Sequence, residues 1–230
     1  MEVGRSIPRV DAADKVSGRA KYTDDLCDKG AYVAQVLHAT IANGLVKSID
    51  TSRAQAIPGV VKVFTCFDVK EKHFFPTAGH PWSTDPGHQD VADRLVLTQR
   101  VRFYGDDIAA VVAEDPVSAA QALAAIQVEY EEYPFVLDPQ EAMEEGAPLL
   151  HENYPGNILN HTSIRKGDYQ AAIRQEGLIK VEGWYDTPTV QHCHLENFIC
   201  FAEMTGDRIR VVTSTQIPHI VRRVVGQALG

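Results

Sequence analysis

Residues 101–134 read VRFYGDDIAAVVAEDPVSAAQALAAIQVEYEEYP. Ile108 to Ala113 is an unbroken apolar run with β-branched residues, the pattern of a strand covered on both faces. Asp115-Pro116 then opens a helix by two rules at once. A carboxylate at the N-cap accepts from free backbone N–H groups, and proline at the first helical position has its φ already set. The helix that follows, VSAAQALAAIQ, is alanine-rich and strongly helix-forming. Its small side chains suit close packing on a sheet. Val128 to Tyr133 is the next strand, stopped by Pro134. The order strand, helix, strand predicts a small α/β unit.

The pattern extends upstream. Residues 31–50, AYVAQVLHATIANGLVKSID, predict strand, turn, strand, with Asn43-Gly44 as the turn signal. Ser52 to Ile57 reads as a short helix capped by Thr51 or Ser52 and ended by Pro58-Gly59. Val60 to Thr65, VVKVFT, alternates like a strand. Asp68 to Gln89 is rich in Pro, Gly, His and aromatics and reads as an irregular excursion. Its segment 73–89, HFFPTAGHPWSTDPGHQ, suits a lid, a subunit contact or an ordinary surface loop. Short strands are expected at Leu95–Leu97 and Val101–Tyr104, with a turn at Gly105-Asp106-Asp107. Lys15 to Tyr22 suits an extended arm on a larger body.

Downstream, residues 134–157 are rich in Pro and Glu and read as a linker over a surface, with one helical turn near Gln140–Glu145. A short helix is expected from Tyr169 to Glu176. Strands are expected at Ile179–Tyr185, Thr189–His194, Ile199–Met204 and Ile209–Thr213, the last two joined by a Gly206-Asp207 hairpin turn. The helix from Pro218 carries Ile220, Val221, Val224, Val225 and Leu229 on a broad apolar stripe, which asks for burial.

Composition bounds the function. The 230-residue chain is 44% hydrophobic and 23% charged, which is ordinary for a globular protein. Its formal net charge of -9 argues against a nucleic-acid surface. No signal-peptide pattern follows Met1, and the apolar runs are too short to span a bilayer, so a cytoplasmic protein is expected. The four cysteines form no CxxC pair and read mostly as small buried apolar groups.

Gln191-His192-Cys193-His194 is the densest set of possible ligands. On a strand His192 and His194 share one face, and Glu196 joins them if the strand continues. Two histidines and a carboxylate can hold iron or zinc. The plainer reading is hydrogen-bonded histidines buried beside an interface or cavity wall. Gln216 sits where a strand gives way to Pro218. Its amide offers one acceptor and two donors, fit to meet a ligand oxygen or to tie its own loop together. Ser214 and Thr215 can cap the next helix or touch a ligand. No GxGxxG, P-loop, HExxH or GxSxG motif is present.

Taken together, KVSGRAKYTDD at 15–25, VLHATIANGLVKSID at 36–50, the 101–134 stretch, QHCHLENFICFAEM at 191–204 and VVTSTQIPHIVRRVVGQALG at 211–230 resemble the molybdenum-binding subunits of the molybdenum hydroxylase family, in their bacterial xanthine dehydrogenase form. The likeness covers residues 5–230. It implies an α/β (α+β) chain with an arm at 1–14, a small hammerhead α/β domain at 15–133, a linker at 134–160 and the incomplete start of a mixed α/β molybdopterin-binding domain at 161–230. It implies hydroxylation of a purine such as hypoxanthine or xanthine with oxygen from water. Molybdenum-molybdopterin is the implied cofactor, and the implied partners are a [2Fe-2S] subunit and an FAD-binding subunit. The STQ motif falls on Ser214-Thr215-Gln216, so the resemblance places the Gln216 amide beside the molybdenum's oxo ligand, without ligating the metal. Glu196 is implied to be structural, in an ion pair, and not a proton carrier. The family's GGGFG loop, its purine-holding residues and its proton-accepting glutamate come later than Gly230. The resemblance therefore implies a fragment or truncated product, inactive by itself, in which no catalytic residue is present. A non-catalytic assembly module, or a hydroxylase of another N-heterocycle or an aldehyde, are the competing expectations.

Overall fold

In the computed structural model, residues 3–69, 71–76, 91–161 and 163–230 are described. Most of the 73–89 excursion lies outside the described residues.

The apolar run forms strand β5 (Asp107–Ala113). It is the middle strand of an antiparallel sheet whose other members are β1 (Val33–His38) and β3 (Val60–Thr65). Ala109, Val111 and Ala113 are fully buried. Val111 packs with Ala54 of helix α2 (Ser52–Gln55), Val63 of β3 and Ala122 of helix α3 (Pro116–Ala125). Ile108, on the opposite side of the pleat, is also fully buried and packs with Val46 and Val101. Val46 belongs to β2 (Gly44–Asp50) and Val101 to β4 (Arg100–Val101). These two strands and β6 (Gln127–Glu132) make a second antiparallel sheet, ordered β4-β2-β6. Two helices, one sheet and a second sheet thus stack in layers, with β5 covered on both faces as its composition requires. Burying a side chain of this size contributes roughly 1.5–3 kcal/mol, so Ile108, Val46, Val101 and Val111 anchor the fold.

One sequence expectation changes here and another is sharpened. The α/β unit stands, but the strands on either side of α3, β5 and β6, lie in different sheets. The strand–turn–strand at 31–50 is not a hairpin, because β1 and β2 do not pair. Asn43-Gly44 marks a crossing from one sheet to the other. The Asn43 carbonyl accepts from the Tyr133 N–H at 3.0 Å, and its amide donates to the Pro134 carbonyl at 2.7 Å. Gly44 is needed for close approach, because a Cβ there would strike the Glu131 carbonyl oxygen of β6 and come within 2.6 Å of the Ile41 side chain.

Capping rules explain α3. Asp115 accepts from the Ser118 hydroxyl at 2.7 Å and from the N–H groups of Ser118 and Val117 at 2.9 and 2.8 Å, and these bonds, the hydroxyl's first, hold its carboxyl below the usual range. The arm is not wholly extended. It holds helix α1 (Ala12–Val16), with Lys15 paired to Asp11 at 2.7 Å, and a 3-10 turn at Thr23–Leu26. Leu95–Leu97 is not a strand, and the strand expected at Val101–Tyr104 shrinks to β4. Only Cys66 is buried, where burial pushes its thiol up to about 11, leaving it protonated and inert. Cys27 is half-buried and Cys193 and Cys200 are exposed, against the expectation from composition.

Residues 134–160 run as a strap with 3-10 turns at Glu141–Met143 and Pro155–Asn157. Asn157 organises it. Its amide donates to the carbonyls of Ala142 and Pro148 at 2.9 and 3.0 Å, and its Oδ1 accepts from Leu150 N–H at 2.9 Å. Beyond the strap, helix α4 (Tyr169–Ile173) is capped by Asp168. The strands expected at Ile179–Tyr185 and Thr189–His194 do not form. Alternation makes a strand only where a neighbouring strand takes its backbone hydrogen bonds. Here Ile179 and Trp184 are 92% and 89% exposed, and no described strand flanks them.

Two outcomes follow from this packing. Gly44→Ala should destabilise the protein by about 2–3 kcal/mol or more in urea unfolding, while Gly30→Ala, with its nearest neighbour at 3.8 Å, should be tolerated. A broad-specificity protease should cut first between residues 163 and 198 and leave a core that retains the strap. Initial cleavage at 135–158 would contradict the account of Asn157.

Candidate functional site: the open end of the β7–β8 hairpin

Strands β7 (Cys200–Thr205) and β8 (Arg208–Thr213) pair antiparallel, with Thr205 opposite Arg208. The two-residue loop needs positive φ at its first position, which Gly206 supplies at φ 64. Strand β8 delivers Ser214, Thr215 and Gln216 to its end, and Pro218 then opens helix α5 (Pro218–Leu229).

These three residues divide their work. Ser214 Oγ donates to the Asn197 carbonyl at 3.1 Å, and the Ser214 N–H donates to the Ile199 carbonyl at 3.2 Å. Thr215 Oγ1 accepts from the Ile217 N–H at 3.1 Å, just ahead of α5. The neighbours therefore hold the loop, and Gln216 is exposed. Among the described residues none hydrogen-bonds the Gln216 amide, so the reading in which that amide ties its own loop does not hold. Along α5, Ile220, Val221, Val224 and Val225 are half-buried, while Leu229 is 60% exposed.

His192 and His194 do not lie on a strand and are not buried. Their rings stack at 5.2 Å because Cys193 between them adopts φ 52, a left-handed conformation unusual outside glycine. Among the described residues no group of three or more His, Cys, Asp or Glu side chains converges to hold a metal. Among the described residues Glu196 has no ion-pair partner. Its Oε1 accepts from the backbone N–H of Thr23 at 2.9 Å, across 173 residues of sequence. Tyr22, Asp24, Asp25, Leu195, Glu196, Asn197 and Ile199 line a groove of about 270 Å³ there.

A separate apolar cavity of about 370 Å³ lies under the strap, lined by Phe103, Phe135, Leu150, His151 and Tyr154 among others. It shares no residue with the open end of the hairpin. Asp106, 5% exposed, lines a smaller cavity of about 90 Å³ and accepts from Arg94 Nη1 at 2.8 Å and from Arg102 N–H at 2.7 Å. Sequence reasoning missed Asp106, Asn157 and the Thr23 amide. The Gly105-Asp106-Asp107 turn held a signal for the first, since aspartate commonly accepts from nearby backbone N–H groups in turns.

His151 reaches Asp93 at 3.4 Å. Burial pulls its pKa below the ordinary 6.5, and Arg102, Arg100 and Arg94 push the same way against the opposing pull of Asp93. The folded strap therefore favours neutral His151, and the unfolded chain takes up the proton first as pH falls. Stability from this site should be full above about pH 6.5 and decline below it. His151→Gln should flatten that decline in thermal melts taken across pH 5–7.5, whereas an unchanged slope would remove His151 as its source.

Comparison with known proteins places this geometry. The family described as aldehyde oxidase and xanthine dehydrogenase, a/b hammerhead domain, matches residues 17–134. A molybdopterin cofactor-binding domain matches residues 150–230. The chain is 45% identical to a xanthine dehydrogenase molybdenum-binding subunit of Escherichia coli O157:H7 over 96% of its own length and 29% of that protein's. It is 32% identical to the carbon monoxide dehydrogenase large chain of Hydrogenophaga pseudoflava, over 94% of this chain and 28% of that one. Among solved structures, quinoline 2-oxidoreductase from Pseudomonas putida 86 superposes with a TM-score of 0.81 at 29% identity, covering 98% of this chain and 28% of that chain. The chain belongs to the aldehyde oxidase and xanthine dehydrogenase family. Its mixed α/β hammerhead layers come first and the molybdopterin-binding match follows. It spans less than a third of the length of each of these relatives. Among the described residues no helix is long and apolar enough to cross a membrane.

Proposed function

We propose that this chain forms the hammerhead module and one cofactor-facing edge of a molybdenum hydroxylase that acts on purines, with Gln216 as the residue that meets the cofactor. The observation that carries this is the exposed Gln216 amide at the end of β8, held out by neighbours whose own hydroxyls are engaged. An exposed amide with no converging His or Cys ligands beside it among the described residues would fit molybdopterin, a cofactor that would hold its own metal. A site built for it needs oriented amide donors more than a cluster of His or Cys. The cofactor, when bound, supplies the two-electron oxidation that puts water-derived oxygen on a ring carbon.

The residues of this chain contribute orientation. Gln216 would present an amide N–H to the molybdenum centre, an outer contact of the kind that orients metal-centre chemistry without ligation. Ser214 and Thr215 keep the loop from collapsing onto that amide. Electrons would leave through [2Fe-2S] and FAD groups on partner subunits, in a cytoplasmic complex. The proposed domains are an arm at 1–14, the hammerhead at 15–133, a linker at 134–160 and the cofactor-binding part at 161–230. Purines are favoured because identity to the xanthine dehydrogenase subunit, 45%, exceeds the 32% to the carbon monoxide dehydrogenase chain. A relative named for quinoline keeps another N-heterocycle as the second reading. An assembly module without chemistry is the other alternative.

In the assembled, cofactor-loaded enzyme, Gln216→Ala should lower xanthine turnover about 10–100-fold with molybdenum content retained. Wild-type turnover in that variant would contradict the role given to Gln216, and faster turnover of quinoline than of xanthine by the unmutated enzyme would contradict the substrate class.

A further inference from the structure

Among the described residues, the bond between Glu196 and Thr23 spans the longest stretch of sequence of any side-chain hydrogen bond, 173 residues. Its surroundings say what it does. Thr23 is 6% exposed and is the first residue of the 3-10 turn Thr23–Leu26. A backbone N–H at that position has no partner within the turn, and an orphaned N–H would be costly to bury. Glu196 Oε1 supplies the partner at 2.9 Å. The turn is closed on its other side by Asp25 Oδ2, which accepts from the Tyr22 N–H at 3.0 Å. The arm segment is thereby fixed to the Leu195–Ile199 turn.

That turn is in direct contact with the open end of the hairpin. The carbonyl of Asn197, the residue after Glu196, accepts from Ser214 Oγ at 3.1 Å. The Ile199 N–H donates back to Ser214 Oγ at 3.4 Å, and the Ile199 carbonyl accepts from the Ser214 N–H at 3.2 Å. Ser214 is two residues from Gln216. A continuous set of hydrogen bonds therefore runs from Thr23 through Glu196 and Asn197 to the base of the Gln216 loop.

We propose that Glu196 is a positioning residue: by accepting from the Thr23 N–H it clamps the arm against the Leu195–Ile199 turn and so fixes the direction in which Gln216 leaves β8. The clamp rests on the role given to Gln216 under the proposed function, but its structural half stands apart from it. The requirement on residue 196 is an acceptor oxygen at the right reach, not a negative charge. Asp24 and Asp25 line the same groove, so a charge on Glu196 faces two other carboxylates. A glutamine should serve as well as the glutamate, whereas an ion pair or a proton carrier would need the carboxylate.

The test uses the assembled, cofactor-containing enzyme in five forms: wild type, Glu196→Ala, Glu196→Gln, Thr23→Pro and the Glu196→Ala/Thr23→Pro double variant. Proline removes the donor from the other side of the bond. It suits the first position of a helical turn, and the preceding Tyr22 is already extended at φ -105, ψ 172. Hydrogen exchange read by mass spectrometry on peptides covering 20–27 and 209–217 reports the clamp without reference to activity. Glu196→Ala and Thr23→Pro should each speed exchange about tenfold in the 209–217 peptide, and Glu196→Ala should do so in 20–27 as well. Their kcat should fall about tenfold with KM little changed, the size expected for a supporting contact. Glu196→Gln should match wild type in both readouts, and the Ala/Pro double variant should be no worse than either single one.

Unchanged exchange at 209–217 in both Glu196→Ala and Thr23→Pro would overturn the proposal. So would a Glu196→Gln variant as impaired as Glu196→Ala. Faster exchange with kcat unaltered would uphold the clamp and overturn the role of Gln216, which separates the two claims.

Discussion

Coverage of β5 on both faces is the constraint from which the rest of the structure follows. A strand reading Ile-Ala-Ala-Val-Val-Ala has no polar face to offer solvent, so it demands a layer on each side. Helices α2 and α3 meet one side through Ala54 and Ala122, and β2 and β4 meet the other through Val46 and Val101. Alanine on the helices permits close approach, and β-branched residues fill the gap between the sheets. The two sheets must then be joined by crossings in place of hairpins, and Asn43-Gly44 is one of them. Gly44 admits the β6 backbone, while Asn43 holds the start of the strap at Pro134. The strap returns over the body and leads to the segment that carries the β7–β8 hairpin.

Much of the layered part was legible in the sequence. The apolar run, the Asp115-Pro116 start and the VVKVFT strand each follow from local rules, and the structure obeys them. What was not legible is which strands share a sheet. Periodicity fixes the face a side chain points to but says nothing of the neighbour across the ladder. That is why β5 and β6 read as one unit and lie in two. The same limit explains 179–194: alternation was present there, but pairing was not, and the segment is irregular.

The candidate site divides along similar lines. Gln216 was visible as an amide at a strand end, and family resemblance gave it a partner. Its surroundings were not visible, because Ser214 is held by Asn197 and Ile199, partners about fifteen residues away that no local pattern names. Glu196 read as the third member of a ligand face, or as half of an ion pair. Its actual partner is a backbone N–H 173 residues away, which carries no side-chain signature at all. A histidine pair with a left-handed cysteine between its members replaced the expected strand face. Local patterns thus located the reactive groups, and only long-range backbone contacts showed how they are held.

A structure of the cofactor-loaded enzyme is the most direct measurement of the central claim, that this chain delivers one oriented amide to a molybdopterin centre. The Gln216 side-chain nitrogen should lie about 3 Å from an oxygen of the metal's ligand set, with Ser214 still bonded to Asn197. A Gln216 side chain folded back onto its own loop, or one directed away from the cofactor, would contradict it.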